Sequence, residues 1–387
     1  MKVKQLLSYS LLAVTMFSCI QDEALNVEAA IDACTGTDVQ FTINNNRDFN
    51  IYVNKWADLS KQALTFTVPQ GATLAITDPT EGDSDFTLNT DGTFTAVINF
   101  DNADHTRWLT VTSEDKSNSA NYQIHAILTE LPTRYHFEGL QSGNRPYHIL
   151  LEEESIGADG LPRALQWCSG NPGFKLTMMA GTPQEYPTVQ INDGYAGKCV
   201  KLQTLNTGSF GASAGMPIAA GNLFIGSFDL SNALNDALAA TRFGMQFYKT
   251  PSRLKGYYKF KRGEVYTEDG KTINGKQDSF DIYAFLYEAE DNAFMLDGSN
   301  ALNPHPSVVL LARLDQADAV ETDTWKTFDI PFKKVGNGKS VNEQKLADGK
   351  YKLGIVFSSS IDGAKFKGAI GNTLYIDEVE LICEEDQ

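Results

Sequence analysis

The chain has 387 residues, with 49 acidic against 32 basic side chains and a formal charge of −17. Such an acidic body repels nucleic-acid phosphates, and with no basic stripe to offset it, nucleic acid is excluded as a partner class. The length exceeds one ordinary core and suits two or three domains.

Lys2 and Lys4 precede a mostly apolar run from Leu6 to Phe17. A bilayer span needs about 20 apolar residues, so residues 1–18 read as an export signal and not as an anchor helix. Ser18-Cys19 resembles the lipobox of bacterial lipoproteins, although Met16 stands where that pattern usually has Leu. The resemblance implies that Cys19 becomes a lipid-modified N-terminus on the outer membrane, its acyl chains contributing about 0.8 kcal/mol per buried CH₂. Gln21-Asp22-Glu23 resembles the surface-export tract of Bacteroidetes lipoproteins, which implies display outside the cell. No later segment approaches a span, so the membrane is expected to be met through the anchor alone. Residues 19–36 are polar, acidic and rich in Ala, and read as a tether.

From Asp38 to Leu128 apolar and polar residues alternate in short runs: Val39–Ile43, Leu64–Val68, Phe94–Ile98, Trp108–Thr112 and Asn121–Ile127. Period-two alternation places one face on a core and the other in water. Turn signals such as Pro69-Gln-Gly71, Asp78-Pro79 and Asp91-Gly92 separate the runs. The spacing predicts a seven-strand immunoglobulin-like sandwich over residues 37–129, serving as a spacer.

Leu131-Pro132-Thr133 reads as a hinge, and residues 130–387 as a second, larger sandwich. Strands are expected over 224–229, 243–248, 254–261, 281–287, 307–314, 325–332, 352–359 and 373–382. Only residues 232–240 read as a helix. Many strands without strand–helix alternation predict an all-β chain whose larger part is a jelly roll. Cys34, Cys168, Cys199 and Cys383 are widely spaced, which leaves disulfides and buried thiols both open.

Several stretches of the second half resemble the PCMD family, a carbohydrate-metabolism domain of Bacteroidetes surface proteins. They are Trp167-Cys-Ser-Gly-Asn171-Pro-Gly-Phe174, Ala219-Ala-Gly-Asn222-Leu-Phe-Ile-Gly226 and Leu254-Lys-Gly-Tyr257-Tyr258-Lys259-Phe260. Asp281-Ile-Tyr283-Ala-Phe-Leu-Tyr287-Glu288 follows, then Phe357-Ser-Ser-Ser360 with Gly363, Phe366 and Gly368, and Leu374-Tyr-Ile-Asp377-Glu-Val-Glu-Leu381. The resemblance implies a jelly roll of the carbohydrate-active kind behind an Ig-like module, with a poly- or oligosaccharide as partner.

Sugars are held by aromatic faces and by fixed polar groups that meet hydroxyls. On 255–260 the alternation puts Lys255, Tyr257 and Lys259 on one face, with Tyr258 and Phe260 as core. On 281–287 the core set is Ile282, Ala284 and Leu286, leaving Asp281, Tyr283, Phe285 and Tyr287 on the other face. Were these strands to share a sheet, Tyr257, Lys259, Asp281, Tyr283, Ser358 and Ser360 would form one sugar-sized wall. The alternative is a covering layer that buries both faces and makes Tyr283 structural. Trp167 and Asn171, in a Gly/Pro-rich loop, are further ligand candidates or a cap on the sandwich end. Ser358 and Ser360 have an alternative use in satisfying backbone groups where a strand turns.

Glycoside hydrolysis needs two carboxylates about 5–5.5 Å apart for retention or about 6.5–9.5 Å for inversion. Asp281 is the candidate for one of them; Glu288-Ala-Glu290 is the nearest approach to a paired strand pattern. No catalytic-serine, zinc-protease or phosphate-loop motif is present, and no metal ligands stand at binding spacing. The leading expectation is a surface lipoprotein that binds glycan without cofactor or metal. The alternatives are a glycoside hydrolase and a structural or adhesion component.

Overall fold

The computed structural model describes residues 25–128, 130–154, 163–230, 233–234, 236–302, 305–336 and 338–384. Cys19 and the export segment lie outside the described residues. The chain is all-β, and each alternating run singled out above lies in or overlaps a strand.

The first sandwich has two sheets and nine strands, where the spacing predicted seven. One sheet runs Ala33–Gly36, Gln62–Thr67, Phe94–Ile98, Thr87–Leu88. The other runs Val39–Asn45, Asp48–Val53, Ser119–Leu128, Thr106–Thr112, Thr73–Ile76, with Asp48–Val53 and Ser119–Leu128 parallel. Their inner faces meet in a core that includes Phe49, Ile51, Phe66, Ile98, Leu109 and Ile124. The expected tether gives way to structure before its end. Ile31 is buried, and Ala33–Gly36 pairs with Gln62–Thr67, because its Cys34 fills the core from an otherwise polar segment.

The second sandwich packs two antiparallel sheets face to face. One is built on Thr188–Ile191, Cys199–Gln203, Thr373–Cys383, Pro251–Lys261 and Thr322–Pro331. The other is built on Asn222–Phe224, Tyr351–Ser358, Asp281–Glu288, Val308–Arg313 and Lys333–Lys334. Leu254, Tyr258 and Phe260 point inward from the first, and Ile282, Ala284, Leu286, Ile355 and Phe357 from the second. That is the face assignment the alternation predicted. Cys34, Cys168 and Cys199 are buried thiols outside any disulfide, and Cys383 is buried as well. Burial pushes the Cys168 thiol up to about 12.

Between the sandwiches the expected hinge is a packed interface. Leu131 is buried, and Phe41, Ile43 and Tyr52 of the first sandwich belong to the hydrophobic core of the second. Gln166 is held from three sides: its side-chain oxygen accepts from Asn45 Nδ2 (2.7 Å) and Asn50 Nδ2 (3.1 Å), and its N–H donates to the Tyr52 hydroxyl (3.0 Å). The Gln246 N–H donates to Gln40 Oε1 at 2.8 Å, and Arg145 pairs with Asp48. Buried polar groups matched in this way fix one orientation, because any shift would strand them without partners.

Candidate functional site

The outer face of the Asp281–Glu288 sheet is sealed at one end and borders a cavity at the other. Antiparallel register sets the rows: Asn222, Ser358 and Asp281 lie side by side, then Phe224, Val356 and Tyr283 with Arg313. The next row holds Gly354 and Phe285, whose ring lies where a Cβ on Gly354 would stand. Tyr287 and Lys352 follow, fully covered, with the Tyr287 hydroxyl donating to the Phe243 carbonyl at 2.7 Å. A covering layer therefore seals Phe285 and Tyr287, and Tyr283 too is buried at 8% exposure, as the alternative of a covered face expected, but its row borders a cavity left beneath that layer.

The first two rows floor this cavity of about 460 Å³. Its walls come from three short helices, Asn171–Lys175, Gly208–Ser213 and Ala237–Ala240, and from the turn around Gly363–Lys365. Phe174, Phe210, Phe228, Leu238 and Phe366 line it. Phe366 is held at φ 57°, in the left-handed region, at the end of the Gly363–Lys365 turn. A bulky residue rarely adopts that conformation, and such strain gathers at ligand sites.

The polar groups gather at the Asp281 end. Arg313 donates to Asp281 from Nε (3.1 Å to both oxygens) and from Nη2 (2.7 Å to Oδ2). The side chains are 3% and 36% exposed for Asp281 and Arg313. Burial pushes the Asp281 carboxyl up, and the fork from Arg313 opposes it. Burial, and then the charge of Asp281, push the Tyr283 hydroxyl up, and among the described residues no group bonds to it. Asp362 and Lys365 also line the cavity and pair with each other at 3.2 Å. Asn222 is fixed from behind, its Oδ1 accepting from the Gly170 N–H at 2.7 Å.

The sequence-predicted residues divide accordingly. Asp281, Tyr283, Ser358 and Ser360 come together on this cavity. The two serines are already engaged: Ser358 Oγ donates to the Ser360 carbonyl (2.8 Å), and Ser360 Oγ to Asp278 (2.8 Å). Tyr257 and Lys259 are not part of that wall, because their strand belongs to the opposite sheet and they face outward from it. There Tyr257 stacks on Tyr195 with centroids 3.6 Å apart, and Lys259 lies over the rings of Trp325 and Tyr375 and pairs with Asp193.

Trp167 lies in the core, against Tyr135, Phe137 and Phe357. Its indole N–H donates to Glu152, a buried carboxylate that also accepts the N–H groups of His136 and Phe137. Asn171 is fully buried and bonds both backbone groups of Thr188, tying its helix to the sheet (2.8 and 3.1 Å). Neither can reach a ligand in this packing. Glu288 and Glu290 are bound by lysines, Glu288 by Lys339 and Lys345 and Glu290 by Lys345.

Sequence reasoning missed Arg313 and Asp362 as site residues. Arg313 closes the apolar strand Val308–Arg313 and shows no motif. Its partner stands 32 residues away, so only the register reveals the pair.

The arrangement offers a charged fork whose guanidinium Nη1 has no bond among the described residues, a phenol and two carboxylates, Asp281 and Asp362, among largely apolar walls. It is a pocket of the size and polarity that receives small molecules, which runs about 300–1,000 Å³.

Residues 136–382 match the family described as "Putative carbohydrate metabolism domain", PCMD. A solved structure from Bacteroides thetaiotaomicron, described as a "putative glycoside hydrolase", is 42% identical. It aligns with a TM-score of 0.79, covering 94% of this chain and 99% of that one. A second, from Bacteroides vulgatus and given the same description, is 44% identical, with a TM-score of 0.60 over 66% of this chain and 99% of that one. No curated protein matches the chain. A match over that span, with its motifs in order and its two sheets in place, means that the chain belongs to the PCMD carbohydrate-metabolism family.

Proposed function

We propose that this is a lipid-anchored, surface-displayed protein that captures a glycan in the cavity over Asp281, Tyr283 and Arg313. The observation that carries the reading is the end of that cavity. A carboxylate and a guanidinium locked together present an acceptor and a donor at fixed spacing, which suits the neighbouring hydroxyls of a sugar. The Tyr283 hydroxyl adds a group that can accept or donate. Aromatic rings alongside suit the C–H face of a pyranose. Cys19 supplies the anchor and the acidic residues after it the export tract, so that the docked sandwiches hold the cavity outside the cell. A glycan array probed with the chain from Gln21 onward tests this: binding is expected, and Asp281→Asn abolishes it.

Glycoside hydrolysis is the second reading, favoured by two carboxylates on one cavity and by the description given to the neighbouring structures. In that case Asp281 and Asp362 are the candidate pair of carboxylates, one serving as nucleophile or base and the other as acid. Release of reducing ends from a polysaccharide, lost in both Asp281→Asn and Asp362→Asn, would replace capture with catalysis.

A further inference from the structure

The charged side chains of the cavity gather at one end, and the wall hydroxyls of Thr177, Thr207 and Thr241 are spent on backbone carbonyls. Across its floor the side chains change within one step of the register, from Asn222, Ser358 and Asp281 to Phe224 and Val356, with Tyr283 and Arg313 completing that second row at the Asp281 side. Beyond them Phe243 packs edge-on against both Phe224 and Phe285. The walls offer Phe174, Phe228 and Leu238, and Phe210 stands 48% exposed at the rim. Phe174, Phe228, Leu238 and Phe210 cannot bond a hydroxyl. A plain oligosaccharide carries hydroxyls along its whole length, and those pressed against this surface would lose water without gaining a partner. The polar groups suffice for about one sugar ring, and the remaining volume suits hydrocarbon.

Resting on the sugar reading above, we propose that the ligand is an amphipathic glycoside. Its sugar sits at the Asp281–Arg313 end, and an alkyl or aryl substituent lies against Phe174, Phe210 and Leu238. Apolar binding scales with the area removed from water, so a longer aglycone binds more tightly until the cavity is filled.

Calorimetric titration of the chain from Gln21 onward with methyl, phenyl and n-octyl glycosides of glucose, galactose and mannose, below micelle concentrations, tests this. An octyl tetra(ethylene glycol) ether serves as the sugar-free probe. For the preferred sugar, the octyl or phenyl glycoside is expected to bind at least about tenfold tighter than the methyl glycoside, equal to about 1.4 kcal/mol. The two arms separate alkyl from aryl. Phe210→Ala and Leu238→Ala are expected to shrink that ratio at least about threefold, and the exposure of Phe210 keeps its variant folded. Equal affinity for methyl, phenyl and octyl glycosides overturns the proposal and leaves the sugar reading standing. Ether binding as tight as octyl glycoside, and insensitive to Asp281→Asn, overturns both. So does the absence of binding by every probe.

Discussion

Removing either partner of the Asp281–Arg313 pair breaks the same hydrogen bonds, yet the two losses should differ in size. In Arg313→Met the carboxylate stays where it is, 3% exposed and without its cation. Stripping one partner from a buried pair costs about 3–5 kcal/mol, since the remaining charge is neither hydrated nor matched. In Asp281→Asn the remaining charge is the guanidinium, 36% exposed, which water can reach. That loss is about 1.5–3 kcal/mol, the cost of a charged hydrogen bond. Urea unfolding at pH 7 measures both. The pH dependence sharpens the test. Burial already pushes the Asp281 carboxyl up, and without Arg313 only the Ile282 N–H is left to oppose it. The folded variant then holds a proton at pH values where the unfolded chain, ionising near its usual value of about 3.9, has lost it. Stability of Arg313→Met therefore falls as pH rises through that window, and its deficit against the wild type shrinks as pH is lowered from 7 to about 4.5. Equal losses for the two variants, or a deficit that does not change with pH, would refute the reasoning.

Trp167→Ala should destabilise by about 3–5 kcal/mol, as expected for a large buried aromatic, and saturating glycan should bind the folded fraction with unchanged stoichiometry. Lys352 is buried opposite Tyr287, and burial pushes its ammonium down to about 7. Between pH 7 and about 10.5 the unfolded chain holds a proton that the folded chain has released, so stability rises with pH across that window. Lys352→Met should thus stabilise at pH 7 by about 1–3 kcal/mol, a gain that thermal melts should find gone by about pH 10.5. Tyr52→Phe strands the Gln166 N–H at the interface between the sandwiches. Unfolding followed by calorimetry should show one transition in the wild type and a loss of about 1–3 kcal/mol in the variant.

Much of the fold follows from alternation alone. Ile282, Ala284 and Leu286 point inward and Asp281 and Tyr283 outward because side chains of a strand alternate, and that pattern survives whatever covers the sheet. Alternation does not say which sheet a strand joins, and so Tyr257 was grouped with Asp281 although their strands belong to opposite sheets and face away from each other. Nor does it say what lies on the outer face. All three of Tyr283, Phe285 and Tyr287 are buried, yet only Tyr283 lines the cavity, a difference set by how the covering segments pack. Trp167 and Asn171 sit among Gly and Pro residues and read as exposed loop. Both are buried because Glu152 and Thr188, distant in sequence, satisfy their polar groups. The cavity walls rest on helices of four to six residues, too short to leave a periodic trace. Arg313 and its partner become visible only once the register is known.

The most direct measurement is hydrogen exchange on the chain from Gln21 onward, with and without a glycan identified on the array. The account predicts slowed exchange at residues 222–224, 281–283 and 356–366, around the Asp281–Arg313 end of the cavity, and no change at 195, 257–259 or 375 on the opposite sheet. Protection confined to the Tyr195–Tyr257 face, with the cavity residues unchanged, would contradict it.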